Sequence, residues 1–174
     1  MFTGVIGHER QKTLLEAAIR HDRVAHAYLF HGDAHIGKRL MAVRLAQALN
    51  CEGPADAGEP DGCGPCRSCR QIEARTHPDF LLIEPDQEMA NPQIKIEQVR
   101  EIESQIIYRP LIGRFKIVLI DEADRLKTPS LEQLRDHHDR TGIGVIWCWA
   151  PGCWASSAMR RVRPAWTVRS WGTA

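Results

Sequence analysis

Long apolar runs are missing from this 174-residue sequence. The longest, Val145 to Ala150, has six residues, far short of the ~20 needed to span a bilayer. No basic patch followed by an apolar stretch opens the chain, so no signal peptide is visible and a cytoplasmic location is expected. A surplus of either charge is also missing: 23 Lys and Arg stand against 22 Asp and Glu. That argues against a whole-chain electrostatic grip on nucleic acid and leaves room only for a local patch. The 43% apolar and 26% charged content excludes a disordered or collagenous chain.

Other absences are local. The first 134 residues contain no Trp, and residues 135–174 contain no Lys, Phe or Tyr but all five Trp. The charge changes with the aromatics, from −3 (17 basic, 20 acidic) to +4 (six Arg, two Asp). One small domain rarely segregates its aromatics so completely. Two readings fit: a Trp-rich C-terminal subdomain, or a non-native C-terminus such as frameshifted translation of GC-rich DNA. Residues 1–134 are therefore read as the folded core, and 135–174 as an atypical tail without assignment.

Within the core, periodicity places the elements. Glu9 to His21 reads as a helix with Leu14, Leu15, Ala18 and Ile19 on one face. Ala27 to His31 is a short apolar strand. Lys38 to Asn50 is helical, with Met41, Leu45, Ala48 and Leu49 sharing a face. Phe80 to Ile83 is a second strand, Ile96, Val99, Ile102 and Ile106 mark another amphipathic helix, and Phe115 to Ile120 is a third strand. Cys51 to Cys69, rich in Gly and Pro, reads as a loop. Strands alternating with helices predict an α/β fold, a parallel sheet flanked by helices. Three strands without the segment that follows them would leave a sheet edge uncovered.

The first strand runs into Gly32-Asp33-Ala34-His35-Ile36-Gly37-Lys38-Arg39. Two glycines five positions apart and a Lys on a strand-to-helix turn make a phosphate cradle. Backbone N–H groups converge, Lys38 adds charge and the helix N-terminus adds its dipole. The position after the Lys should carry a hydroxyl for Mg²⁺, but Arg39 stands there, and Arg is no metal ligand. ATP is expected to bind weakly or not at all, and Mg²⁺-assisted hydrolysis to lose a ligand. The third strand ends in Asp121-Glu122. In a P-loop ATPase the first would serve Mg²⁺ and the second would polarise the attacking water.

Cys63, Cys66 and Cys69 form C-x2-C-x2-C, with Cys51 twelve residues upstream. Four thiolates close a tetrahedral structural Zn²⁺ site. An iron–sulfur cluster is the main competitor. Disulfides are disfavoured in a reducing compartment. Cys148 and Cys153 belong to the tail.

Together these residues resemble a known family. The run His26 to Gly32, the loop through Lys38, Ala46 to Cys51, the three-Cys knuckle, Thr76-His77-Pro78-Asp79, Ile94 to Arg100 and Gly113 to Asp124 occur in the order seen in bacterial clamp-loader AAA+ subunits. The likeness covers roughly residues 1–130. Arg39 makes it most similar to the delta-prime branch, since tau/gamma subunits keep Thr there. The resemblance implies an AAA+ P-loop core with an inserted zinc knuckle, and a role in loading the sliding clamp onto primed DNA. It implies other clamp-loader subunits as partners, with clamp and primer-template DNA engaged through the complex, and no membrane. It also implies no intrinsic catalysis. Beyond Leu134 the family pattern lapses: a sensor strand and a Ser-Arg-Cys element should follow, and Met159 to Arg163 is only a distant echo. The core is thus expected to be C-terminally incomplete. Two rivals are an ATP-hydrolysing tau/gamma-type subunit and a zinc-knuckle nucleic-acid-binding module.

Overall fold

The computed structural model describes residues 2, 4–25, 27–53, 62–86, 92–123 and 144–149. In chain order its elements are α1 (Glu9–Arg20), β1 (Ala27–His31), α2 (Lys38–Asn50), α3 (Arg67–Glu73), β2 (Phe80–Ile83), α4 (Ile96–Ile106), β3 (Ile117–Ile120) and β4 (Gly144–Trp149). The strands form one parallel sheet in the order β1-β4-β3-β2. Among the described residues no helix is long and apolar enough to cross a membrane.

Alternation along the strands builds the core. Tyr28 and Phe30 of β1, Phe80 of β2, and Ile117 and Leu119 of β3 join one buried cluster. Leu15 of α1, Met41, Ala42, Leu45 and Ala46 of α2, and Ile72 of α3 complete it. On α4, Val99, Ile102 and Ile106 are buried outside this cluster, and the helix packs on β2. All four residues of β3 are buried, as a central strand of a parallel sheet requires.

Four local readings change. Leu14 is exposed, so α1 buries a narrower stripe than its sequence pattern implies. On α2, Ala42 and Ala46 are the buried alanines, while Ala48 and Leu49 are half-buried. The Cys51–Cys69 segment is not all loop. Arg67 starts α3, which the Cys66 sulfur caps by accepting the Cys69 N–H at 3.3 Å. β3 starts at Ile117 rather than Phe115.

The larger change is β4. It falls inside residues 135–174, left unassigned above, and it pairs with both β1 (Ala27 opposite Val145) and β3 (Ile117 opposite Gly144). The three strands of residues 1–134 therefore do not lie side by side: β4 stands between β1 and β3, and β1 and β2 form the two edges of the sheet. Cys153 and Met159 to Arg163 lie outside the described residues.

Candidate nucleotide loop and cysteine knuckle

In a parallel sheet every strand ends on the same edge, and ligands gather there. The glycine-lysine loop leaves the end of β1, Glu84 follows β2, and Asp121 and Glu122 follow β3. Gly37 is the N-cap of α2 with φ 86°, a left-handed conformation that glycine adopts without Cβ strain. The Lys38 ammonium arches back over the loop and donates to the carbonyls of Gly32 (2.9 Å) and Asp33 (2.6 Å). From the N-terminal segment, His8 Nε2 donates to the Ile36 carbonyl at 3.1 Å. Lys38, the first residue of α2, thus closes over the backbone of the turn that runs from Gly32 to Gly37.

Arg39 reaches away from that loop, across the strand ends. Its guanidinium lies 3.3 Å from Asp121 Oδ2 and also pairs with Glu84. The other Glu84 oxygen takes Arg75 at 2.8 Å. Asp121 is anchored by its own N–H, which donates to the Ile83 carbonyl at 3.0 Å. Glu122 takes a left-handed φ of 47°, and its N–H donates to Asp121 Oδ1 at 3.0 Å. Burial pushes the Asp121 carboxyl above its ordinary value, and Arg39 pulls it back. Magnesium demands a near-octahedral set of oxygen ligands. A guanidinium offers only donors, and here it covers the carboxylate that would face the ion. These residues do not fit Mg²⁺.

The cysteine knuckle does fit a metal. The Sγ atoms of Cys51, Cys63, Cys66 and Cys69 lie within 4.8 Å of one another. A tetrahedral zinc site with Zn–S of about 2.3 Å needs sulfurs about 3.8 Å apart, a small contraction away. The N–H groups of Gly53 and Cys63 point at Cys51 Sγ, each at 3.3 Å. A Cβ at Gly53 would lie 3.2 Å from that sulfur and 3.1 Å from Cys63 Cβ. Burial raises the Cys66 thiol, but N–H groups of Cys69 and Glu52 outweigh it, and the thiol falls to about 7. Burial raises the Cys69 thiol.

Sequence reasoning gave no role to the buried polar residues that tie these parts together. Asp79, fully buried, accepts the N–H groups of Leu111, Ile112 and Gly113, each at 2.8 Å. Its own N–H donates to His77 Nδ1 (3.0 Å), and His77 Nε2 meets Ser68 Oγ (3.2 Å). Ser68, beside Cys69, donates to Glu52, beside Cys51, at 2.6 Å. Asn50 ends α2 by holding the N–H and the carbonyl of Phe115, both at 2.8 Å. Gln47 donates to the Cys69 carbonyl at 2.9 Å. The available signal was a set of polar residues next to apolar runs, with His77-Pro78-Asp79 opening β2.

Fold and loop define a parallel α/β core with a glycine-lysine turn at the end of its first strand. A family model described as DNA polymerase III, delta subunit, matches residues 7–134. The chain belongs to that family of clamp-loader subunits. It is similar to the DNA polymerase III subunit delta' of Pseudomonas aeruginosa, with 37% identity over 63% of this chain and 32% of that protein. It is also similar to the tau/gamma subunit of Haemophilus influenzae, with 38% identity over 76% of this chain and 18% of that protein. A solved structure, a DNA polymerase III gamma subunit-related protein from Thermotoga maritima, shares the fold. Its TM-score is 0.59 at 15% identity, covering 92% of this chain and 46% of that one. The chain spans about a third or less of the two curated relatives.

Proposed function

We propose that this chain is the AAA+ core of a clamp-loader subunit of delta-prime type. It acts in DNA replication, in the cytoplasm, helping to load the sliding clamp onto primed DNA as a partner of ATP-hydrolysing subunits. The observation that carries the subtype is Arg39. It stands where a hydrolysing loop needs a hydroxyl, and it is ion-paired to the carboxylate that would serve magnesium. Nucleotide, if held, would lie against Gly32, Gly37 and Lys38 and would not be turned over here. Contact with partners replaces chemistry as the contribution of this subunit. The exposed apolar side chains Ile107, Tyr108, Leu111 and Ile112, on a segment pinned by Asp79, support a protein-binding role. Zinc held by Cys51, Cys63, Cys66 and Cys69 would be structural, since four sulfurs leave no open position.

The test is reconstitution with the remaining subunits, clamp and primed DNA. Lys38→Ala in this chain should leave ATP turnover by the complex within about twofold of wild type. The similarity to tau/gamma subunits favours a second reading, an active ATPase. It requires turnover to drop by an order of magnitude or more in the same variant, the usual scale for lost phosphate positioning.

A further inference from the structure

At the strand ends the Arg39 and Arg75 guanidinium groups are paired with Glu84 and Asp121, and Glu122 stands next to them. Two guanidinium groups face two carboxylates, and Arg39 bridges both of them. The bridge joins three elements: α2 through Arg39, the end of β2 through Glu84 and the end of β3 through Asp121. Arg39 directly follows Lys38, so a fixed positive charge stands between the loop and the carboxylates. In a metal-dependent site a divalent ion stands there. An added Mg²⁺ would meet guanidinium hydrogens rather than free oxygens, and would have to displace an ion pair that is two-thirds buried.

We infer that Arg39 is the resident cation of this site, replacing the divalent metal, so that the loop's ligand is a polyphosphate free of metal. This rests on the loop being an anion cradle, as proposed above. The specificity then lies in one residue. Replacing Arg39 with the hydroxyl residue expected after the Lys frees Asp121 and restores an oxygen set around a metal position.

The experiment uses the whole chain and a fluorescent N-methylanthraniloyl ATP, titrated in 5-fold excess Mg²⁺ and again in EDTA, at ~0.15 M salt to hold surface electrostatics constant. Wild type should show the same Kd in both within about twofold, whereas Arg39→Thr should bind at least about tenfold tighter with Mg²⁺ than in EDTA, a difference of ~1.4 kcal/mol. Tenfold Mg²⁺ dependence in wild type, or none in Arg39→Thr, overturns the inference. Loss of Arg39 leaves excess negative charge, so Arg39→Thr/Glu84→Gln is measured in parallel, with circular dichroism to establish folding. If wild type binds no nucleotide in either buffer, the anion-cradle reading of the loop falls. The role of Arg39 is then decided by the variants alone: a metal-dependent site appearing in them supports it, and its absence refutes it.

Discussion

At the cysteine knuckle four sulfurs converge, and backbone N–H groups turn toward them. At the strand ends Asp121 and Glu84 also converge, but Arg39 already lies between them. Both places gather groups that bind cations, yet only the knuckle suits one. Ligand-type residues at the right spacing are therefore not enough. The counter-charge supplied by the same chain decides whether a metal is needed. Besides its sulfurs, the knuckle segment is held by α3 and by hydrogen bonds from Gln47 and Ser68. The strand ends are ordered by the sheet and by an internal cation.

Breaking the knuckle should have the largest effect. Cys69→Ser removes the buried sulfur of the four. Binding energy at structural zinc sites is folding energy, of order 10 kcal/mol in isolated zinc fingers. Bound zinc, measured by mass spectrometry of the metal, should fall from one per chain to well below half. Thermal unfolding should shift down by more than for any other variant considered below.

Asp79 comes next, since it connects the knuckle side of the core to the segment before β3. Replacing it by Asn weakens three charge-assisted hydrogen bonds in a buried place and should cost about 3 kcal/mol in denaturant unfolding. Burial would raise the Asp79 carboxyl, but the N–H groups of Ile112, Gly113 and Leu111 and the nearby His77 hold it below its ordinary value. Its stabilisation is thus complete above the unfolded-state value of about 3.9. It is lost as pH falls through that value toward the folded one. The stabilities of wild type and Asp79→Asn should converge below about pH 4.

These residues also mark the limit of what the sequence discloses. β1, α2, β2 and the span of α4 are legible because apolar periodicity and flanking Gly or Pro set their ends. β3 starts late because the backbone of Phe115 is held by the Asn50 side chain instead of a neighbouring strand. Such side-chain-to-backbone bonds leave no periodic trace, which is why Asn50, His77 and Asp79 went without roles. α3 was hidden within a cysteine-rich segment whose Gly and Pro content reads as loop. β4 was masked differently. Val145 to Trp149 is a plain apolar run, but the abrupt change in composition around it argued against giving it structure. For the loop, the sequence showed that Arg39 is no metal ligand. Only the structure shows where its charge goes.

A smaller effect tests the Asn50 clamp. A Cβ at Gly113 would sit 2.7–2.8 Å from the Asn50 side chain. Gly113→Ala should cost about 1–3 kcal/mol, and clearly less in an Asn50→Ala background. The non-additivity in a double-mutant cycle is the readout. At the bottom of the scale, Arg114 and Asp22 form a 2.7 Å pair with both side chains mostly exposed. Arg114→Ala should change stability by less than about 1 kcal/mol, less still in high salt.

The contrast between the two sites is tested most directly by adding Mn²⁺ to the zinc-loaded wild-type chain and following amide relaxation. Amides of residues 32–39 and 120–122 should broaden no more than those of the exposed acidic surface. Selective broadening of those two segments at low Mn²⁺ would mean that a divalent ion displaces Arg39, contradicting the account.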